Sequence, residues 1–273
     1  MSQRETHMVL DERFDQAISR KVGRFLAPRL HRMGVTADMI SATAATLGVS
    51  GGVMITRGGL WPLVGGLLVF AMVVLDCTDG EVARLGPPSD RPWRGKMIDG
   101  YADLATLISV HVGMVIALSN TGLTVSGHVL AWWEIALIAV AAWFSFTWKS
   151  SVVDAVKARL VGDCEHDLAK YDAQEKTLLE RFLYWSWVVY LRSCERVTGQ
   201  GRPSGYHLYR QVALLGPTHH HMGVAVCAMV APWSPTIFLA YFALTIGPGN
   251  LYVWYALGKA RRQGAQASVE LSS

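Results

Sequence analysis

The sequence predicts an all-α polytopic membrane protein, with six transmembrane helices preceded by an N-terminal amphipathic interfacial helix. Three observations carry that prediction. Of 273 residues, 51% are hydrophobic and only 17% charged, against roughly 25% charged in a typical soluble domain. The mean hydropathy of +0.26 agrees. The apolar residues gather into six runs close to the roughly 20 residues that a bilayer span needs, and the cations gather into blocks between those runs. Such a composition excludes a disordered chain, which combines low hydrophobicity with high net charge. With a net charge of only +4, it also gives no ground for a nucleic-acid partner.

Residues 1–37 read as a cytoplasmic N-terminus containing the amphipathic helix. Phe14, Ile18, Val22, Leu26 and Leu30 recur every four residues and form one stripe. Arg13, Arg20, Lys21, Arg24 and Arg29 lie off it, as in a basic helix that rests among anionic headgroups. Pro28 is expected to kink or end this helix. The spans are placed at 38–56, 61–83, 97–119, 128–148, 211–231 and 235–257, so that 38–257 forms the six-helix catalytic domain. The first is rich in Ala, Gly, Ser and Thr, a composition for packing against other helices rather than facing lipid. A cytoplasmic segment, 149–210, separates the fourth and fifth spans. Within it, Thr177–Val197 mixes charge with Trp185, Trp187 and Tyr190 and reads as a second interfacial helix. Residues 258–273 read as a disordered cytoplasmic tail. Trp61, Trp132, Trp148 and Trp233, near span ends, read as an interfacial belt.

The cations set the orientation. Seven Lys and Arg precede the first span, four lie between spans two and three, ten between Lys149 and Arg210, and three in the tail. The opposite side holds one, Arg57. That alternation is the positive-inside pattern, with both termini cytoplasmic in the cell membrane. The four cysteines show no C-x-x-C spacing, and two of them fall in expected cytoplasmic segments, so disulfides are not expected.

The chemistry concentrates in residues 76–103, DCTDGEVARLGPPSDRPWRGKMIDGYAD. Asp76 and Asp79 stand three apart at the end of the second span. Asp99 and Asp103 stand four apart at the start of the third. Either spacing puts a pair on one helical face, and the short intervening loop makes the two spans antiparallel neighbours with facing carboxylates. Ionisable groups inside spans are costly and functional by default, and oxygen-only ligands suit Mg²⁺, Mn²⁺ or Ca²⁺. Gly80 and Gly95 leave room beside the carboxylates, and Arg84 offers a guanidinium suited to phosphate. Arg91, Arg94 and Lys149 are further cations on the same expected side, where an anionic substrate would meet them. His219, His220 and His221 fan around a helix and cannot all bind one metal; one, such as His219, could line a substrate cavity.

This stretch resembles the signature of the CDP-alcohol phosphotransferase (CDP-alcohol phosphatidyltransferase) family, D-x₂-D-G-x₂-A-R followed by G-x₃-D-x₃-D. It is matched by Asp76, Asp79, Gly80, Ala83 and Arg84, then Gly95, Asp99 and Asp103. The spacer Leu85–Arg94 is two residues longer than the usual eight. The family's L-T-P-N-x-I-T approach to the first span reads here Val35-Thr36-Ala37-Asp38-Met39-Ile40-Ser41, keeping Thr36 and the final hydroxyl. The resemblance implies two Mg²⁺ or Mn²⁺ ions held by Asp76, Asp79, Asp99 and Asp103. It also implies a CDP pocket lined by Asp79, Gly80, Ala83, Arg84 and Gly95, with Asp103 as the catalytic base. The reaction implied moves a phospho-alcohol or phosphatidyl group from a CDP-linked donor to an alcohol acceptor, releasing CMP, in a homodimer among membrane lipids. The D-G-E-V-A-R wording is most similar to the branch that joins two polar alcohols, but lipid and soluble donors both stay open. The rival readings are a membrane prenyl-diphosphate transferase and a divalent-cation carrier.

Overall fold

The computed structural model describes residues 15–86, 92–161, 172, 174–198 and 206–270. A π-helical turn, Asp15–Ser19, leads into α1, Arg20–Arg32. There follow α2, Ala37–Ile55; α3, Trp61–Ala83; and α4, Pro92–Ser119. A small hairpin pairs β1, Thr124–Val125, with β2, His128–Val129. Then come α5, Trp132–Val161; α6, Leu178–Thr198; α7, Tyr206–Val212; a 3₁₀ turn, Ala213–Leu215; α8, Pro217–Val230; α9, Ile237–Ile246; and α10, Pro248–Glu270. The all-α expectation holds for the described residues apart from that hairpin.

Among the described residues, five helical stretches are long and apolar enough to cross a bilayer: Ala37–Ile55, Trp61–Ala83, Trp93–Ser119, Trp132–Lys157 and Ile237–Lys259, the last made of α9 and the start of α10 with a turn at Gly247 between them. The expected span at 211–231 is not a single helix. Gly216 is extended, with ψ 172°, and Pro217 starts a new helix, leaving α8 with 14 residues. At about 1.5 Å per residue that is roughly 21 Å, short of the ~30 Å hydrocarbon core. The expected span at 128–148 is displaced. Ser126 and Gly127 have φ of 52° and 83°, the two positive values of a tight hairpin turn, so the helix starts only at Trp132. It then runs on to Val161, making the first part of the expected 149–210 cytoplasmic segment helical. The backbone is also helical from 258 to Glu270, where a disordered tail was expected; Lys, Arg, Gln and Ala in that stretch are good helix formers.

The described residues divide into two compact units, one from those of 15–144 and Pro217–Ile246, the other from those of 145–216 and 247–270. In the first, the core gathers Ile55, Val69, Val110, Met114, Leu118, Ile135, Val224, Phe238 and Phe242. Helix α2 packs extensively on both α3 and α4. Small residues make this possible. A Cβ at Gly48 or Gly52 would collide with Thr106 or Ser109 of α4, and one at Gly51 would meet the Gly65 carbonyl of α3 at 2.9 Å. The Gly- and Ala-rich span is thus the central packing element, as its composition predicts, and α3 and α4 are joined mainly through it rather than as simple neighbours. Helix α8 packs on α3, where a Cβ at Gly66 would strike the Ala225 carbonyl. On the outer face, Leu104, Ile108, Val112 and Ile116 of α4 are all exposed at four-residue intervals, the lipid-facing stripe of a span.

Helix α1 is present where the periodicity placed it, but Pro28 does not end it; the proline sits on the exposed face and the helix continues to Arg32. A Schellman motif closes it. Gly34 has φ 77°, the Val35 N–H donates to the Leu30 carbonyl at 3.0 Å, and the Gly34 N–H donates to that of His31 at 3.0 Å. The face of α1 turned to the bundle carries Ser19, Gly23 and Ala27, and it packs on α3. The apolar stripe that includes Val22, Leu26 and Leu30 flanks this contact, half-buried.

In the second unit, Val152, Val156, Leu208, Tyr209, Val212 and Val253 bring together the end of α5, α7 and α10. The Tyr190 hydroxyl of α6 donates to Asp154 Oδ2 of α5 at 2.9 Å. The expected Thr177–Val197 helix is α6. Thr177 and Glu180 form a capping box: Thr177 N–H donates to Glu180 Oε2 at 2.9 Å and Glu180 N–H donates to Thr177 Oγ1 at 3.3 Å.

Candidate metal and substrate site

The site is built at the last turns of α3 and the first turns of α4. One carboxylate oxygen each from Asp76, Asp79 and Asp99 lies within 4.8 Å of the others. The i, i+3 spacing aligns Asp76 and Asp79 on one face of α3. The packing of α2 against both neighbours holds α4 at the distance where Asp99 meets them. Asp79 is buried, and Asp76 and Asp99 are half-buried. The carboxyl groups of Asp76 and Asp99 lie within hydrogen-bonding reach of each other. Three carboxylates so close in a low-dielectric setting repel unless a cation or proton lies among them.

The residues present fit a hard divalent cation. All three donors are carboxylate oxygens, the set that such ions prefer. Asp99 Oδ1 is buried and makes no hydrogen bond, which is costly for a carboxylate oxygen unless a cation takes it. Asp103, one turn beyond Asp99, is half-buried and stands outside this group of three, although its charge acts on Asp76. The structure thus brings together three of the four expected carboxylates and leaves the fourth beside them.

Two residues from the approach to α2 hold this arrangement. Thr36 caps the helix, its side chain accepting the Met39 N–H at 3.3 Å. One turn on, the Ser41 hydroxyl donates to Asp79 Oδ2 at 2.5 Å. These are the two hydroxyls that the sequence keeps from the family's L-T-P-N-x-I-T stretch.

Around the cluster, Gly80 and Ala83 present no bulk, and a Cβ built at Gly95 would meet nothing within 4 Å among the described residues. Arg84, the C-cap of α3, pairs through Nη2 with Glu81 Oε1 at 2.9 Å. Sequence reasoning missed a second guanidinium: Arg20 of α1 reaches the same Glu81 oxygen through Nη1 at 3.4 Å. It missed Asp15 as well. This buried carboxylate accepts hydrogen bonds from Cys77 Sγ at 3.2 Å and from the Thr218 hydroxyl at 2.9 Å. It thereby ties the segment before α1 to α3 and α8. No spacing rule reveals such contacts, because the partners are 61 or more residues apart.

The acceptor candidates are Arg91, Arg94, Lys149 and His219. Arg91 lies outside the described residues. Arg94 is exposed in the first turn of α4. Lys149 is buried in the second unit, with Nζ donating to Ser145 Oγ at 3.5 Å; that hydroxyl donates to Asn250 Oδ1 at 2.9 Å. His219 is half-buried in the first turn of α8. Its neighbours point into the helix packing. His220 Nδ1 meets the Tyr241 hydroxyl, and its ring stacks on His111 with centroids 5.6 Å apart. His221 Nδ1 donates to the Pro217 carbonyl at 3.0 Å. Glu134, expected within a span, opens α5 instead and accepts the Ala131 N–H at 2.7 Å.

No curated protein and no solved structure is significantly similar to the chain. Residues 34–190, more than half of the chain, match the model of the CDP-alcohol phosphatidyltransferase family. That stretch holds the Thr36 cap, Ser41 and every motif carboxylate. With its apolar helices and the carboxylates gathered at the ends of α3 and α4, the chain belongs to the CDP-alcohol phosphatidyltransferase family, a family of membrane transferases that take phospho-alcohol groups from CDP-alcohols.

Proposed function

We propose that the chain transfers a phospho-alcohol or phosphatidyl group from a CDP-linked donor to an acceptor hydroxyl and releases CMP, in phospholipid or polar phosphodiester synthesis. The observation that carries this reading is the approach of Asp76, Asp79 and Asp99 to within 4.8 Å, with Asp99 Oδ1 buried and unbonded. Asp76, Asp79 and Asp99 would hold two Mg²⁺ or Mn²⁺ ions, with Asp103 at the edge. Such ions, when bound, supply positive charge to the oxygens of a diphosphate.

The chain's own residues do the rest. Asp79 is oriented by Ser41. Gly80, Ala83 and Gly95 present no bulk to the CDP moiety, and Arg84 would meet its phosphates. Asp103 accepts the proton of the acceptor hydroxyl. That oxygen then bonds to the β-phosphorus, the bond from phosphorus to the bridging oxygen breaks, and CMP leaves with the electron pair. Its place one turn from the metal ligands suits Asp103 to this role, since a base needs reach to the hydroxyl first and a suitable pKa second. Arg91, Arg94 and His219 are proposed for the acceptor side.

The cation distribution supports cytoplasmic termini and a site on the cytoplasmic face, where a soluble nucleotide product can leave. The exposed Lys21, Arg24 and Arg29 of α1 would face headgroups. The family resemblance is the ground for expecting a homodimer.

The test is release of CMP by the purified protein with Mg²⁺, offered CDP-diacylglycerol, CDP-choline, CDP-ethanolamine and CDP-inositol with labelled acceptors. At least one donor is expected to yield CMP, and Asp103→Asn to abolish the yield. No CMP from any donor would sink the transferase reading.

A further inference from the structure

The two carboxylates that α3 contributes stand near its C-terminal end, at a weak place in the helix. Asp79 is followed by Gly80, a poor helix former, and the helix ends at Ala83. Final turns fray unless other elements hold them. Asp76, Asp79 and Asp99 also repel one another, which drives the end of α3 away from α4 until a cation lies between them. The geometry of the site therefore depends on what grips that end from outside.

Helix α2 grips it from one side, through Ser41 and Asp79. The turn before α1, and α1 itself, grip it from another. The Cys77 thiol, between the two carboxylates in sequence, donates to Asp15 Oδ1 at 3.2 Å. A Cβ at Gly23 would stand 3.3 Å from Thr78 Cα, so the two backbones approach closely there. Arg20 Nη1 reaches Glu81 Oε1 at 3.4 Å. Spacings of three and four put residues 77, 78 and 81 on one side of α3, so Asp15, Arg20 and Gly23 form a splint along its carboxylate-bearing end. Asp15 anchors the splint. Its second oxygen accepts the Thr218 hydroxyl at 2.9 Å, which ties the first turn of α8 to the same point. Asp15, Cys77 and Thr78 are all buried. An apolar side chain would dock α1 at a smaller desolvation cost than a buried carboxylate. What the carboxylate adds is direction, since each oxygen takes a donor from a different helix.

We infer that Asp15 is a positioning residue of the metal site, which through Cys77 holds the end of α3 where Asp76 and Asp79 meet Asp99. The inference rests on the proposed metal site and not on the choice of donor or acceptor. Ligands held in place before binding give up less freedom when the ion enters. Linkage makes the effect reciprocal: if docking of α1 tightens metal binding, metal binding tightens the docking of α1 by the same factor. A tie that serves the fold alone has no such dependence on metal.

The experiment uses the purified full-length protein. Mn²⁺ is titrated by electron paramagnetic resonance, and backbone hydrogen exchange over residues 15–32 is read by mass spectrometry with and without saturating Mn²⁺. Asp15→Asn keeps the shape but replaces an acceptor with an N–H donor, and it is expected to weaken Mn²⁺ binding about tenfold. Cys77→Ala is expected to weaken it about threefold or more, whereas Cys77→Ser, which keeps a donor, stays within about twofold of wild type. In the wild type, Mn²⁺ is expected to slow exchange over 15–32 by roughly the factor that Asp15→Asn loses in affinity, and in Asp15→Asn that slowing is expected to shrink to less than half in log rate. Phe238→Leu, in the core of the same unit, is expected to lower the melting temperature and leave Mn²⁺ binding unchanged. Should Asp15→Asn not yield monodisperse protein, Cys77→Ala and Thr218→Val carry the test. Unchanged Mn²⁺ affinity in Asp15→Asn, or in both of those substitutes, overturns the inference. So does exchange over 15–32 that does not respond to Mn²⁺, or an equal loss of affinity in Phe238→Leu, which would show general loosening. Cys77→Ser binding no better than Cys77→Ala overturns the route through Cys77. A wild-type protein that binds no Mn²⁺ overturns the proposed metal site and this inference with it, whereas one that binds Mn²⁺ but releases no CMP overturns only the transferase reading.

Discussion

Asp99 and Asp103 occupy successive turns of one helix, yet the structure gives them different surroundings. Asp99 joins Asp76 and Asp79 and has a buried oxygen without a hydrogen bond, whereas Asp103 stands outside that trio. Their variants should therefore separate. Asp99→Asn is expected to abolish Mn²⁺ binding, read by electron paramagnetic resonance, together with activity. Asp103→Asn is expected to keep Mn²⁺ binding within a few-fold while kcat falls by roughly 10²-fold or more. Loss of the Mn²⁺ signal in Asp103→Asn would assign it as a ligand instead. Ser41 acts through Asp79. Removing its hydroxyl in Ser41→Ala should weaken Mn²⁺ binding by about tenfold, the usual effect of a partner that orients a metal ligand; an unchanged titration would deny it that role. The carboxylates were legible as a spacing because each pair is local to one helix. Ser41 was legible only as a surviving hydroxyl in a family pattern, since its bond to Asp79 spans 38 residues. Arg20 and Asp15 left no signal of their own. Each reads as an ordinary charge on an amphipathic segment until α1 docks on α3.

Helix α2 shows how composition becomes placement. Its Ala, Gly, Ser and Thr residues predicted close packing, and the structure supplies the partners: Gly48 and Gly52 against α4, Gly51 against α3. Because α2 lies against both helices that carry the carboxylates, a change here acts on the site from a distance. Gly52→Val puts a branched side chain into Ser109. It is expected to destabilise the fold by about 1–3 kcal/mol, as overpacking does, and to lower both the melting temperature and Mn²⁺ affinity. A melting temperature equal to wild type would show that the helices separate more readily than this packing implies. Hydropathy was less informative where helices break. The run at 211–231 is continuous in apolar character, yet Gly216 and Pro217 interrupt it. The run at 128–148 loses its first residues to a hairpin set by Ser126 and Gly127. In both cases local backbone geometry overrides an average over about 20 residues.

At the scale of the whole molecule, the chain is an integral membrane protein with five stretches, among the described residues, long and apolar enough to cross a bilayer. Its orientation is carried by the distribution of 25 Lys and Arg. A reporter fused to the C-terminus should be cytoplasmic and inaccessible to impermeant reagents in intact cells, and one inserted beside Arg57 should be accessible. The reverse pattern would refute the positive-inside assignment. By itself the sequence determined the membrane class, the existence and rough bounds of most helices, and the four carboxylates with their glycines and Arg84. All of these are short-range properties, set by apolar run length and by i, i+3 and i, i+4 spacing. Only the tertiary structure decided which three carboxylates converge, that Ser41 orients one of them, that Arg20 joins Arg84 at Glu81, and where the later spans break. Those outcomes depend on how closely α1, α2 and α4 approach α3. That distance is fixed by small residues meeting across helices, whose partners lie tens of residues away in the chain.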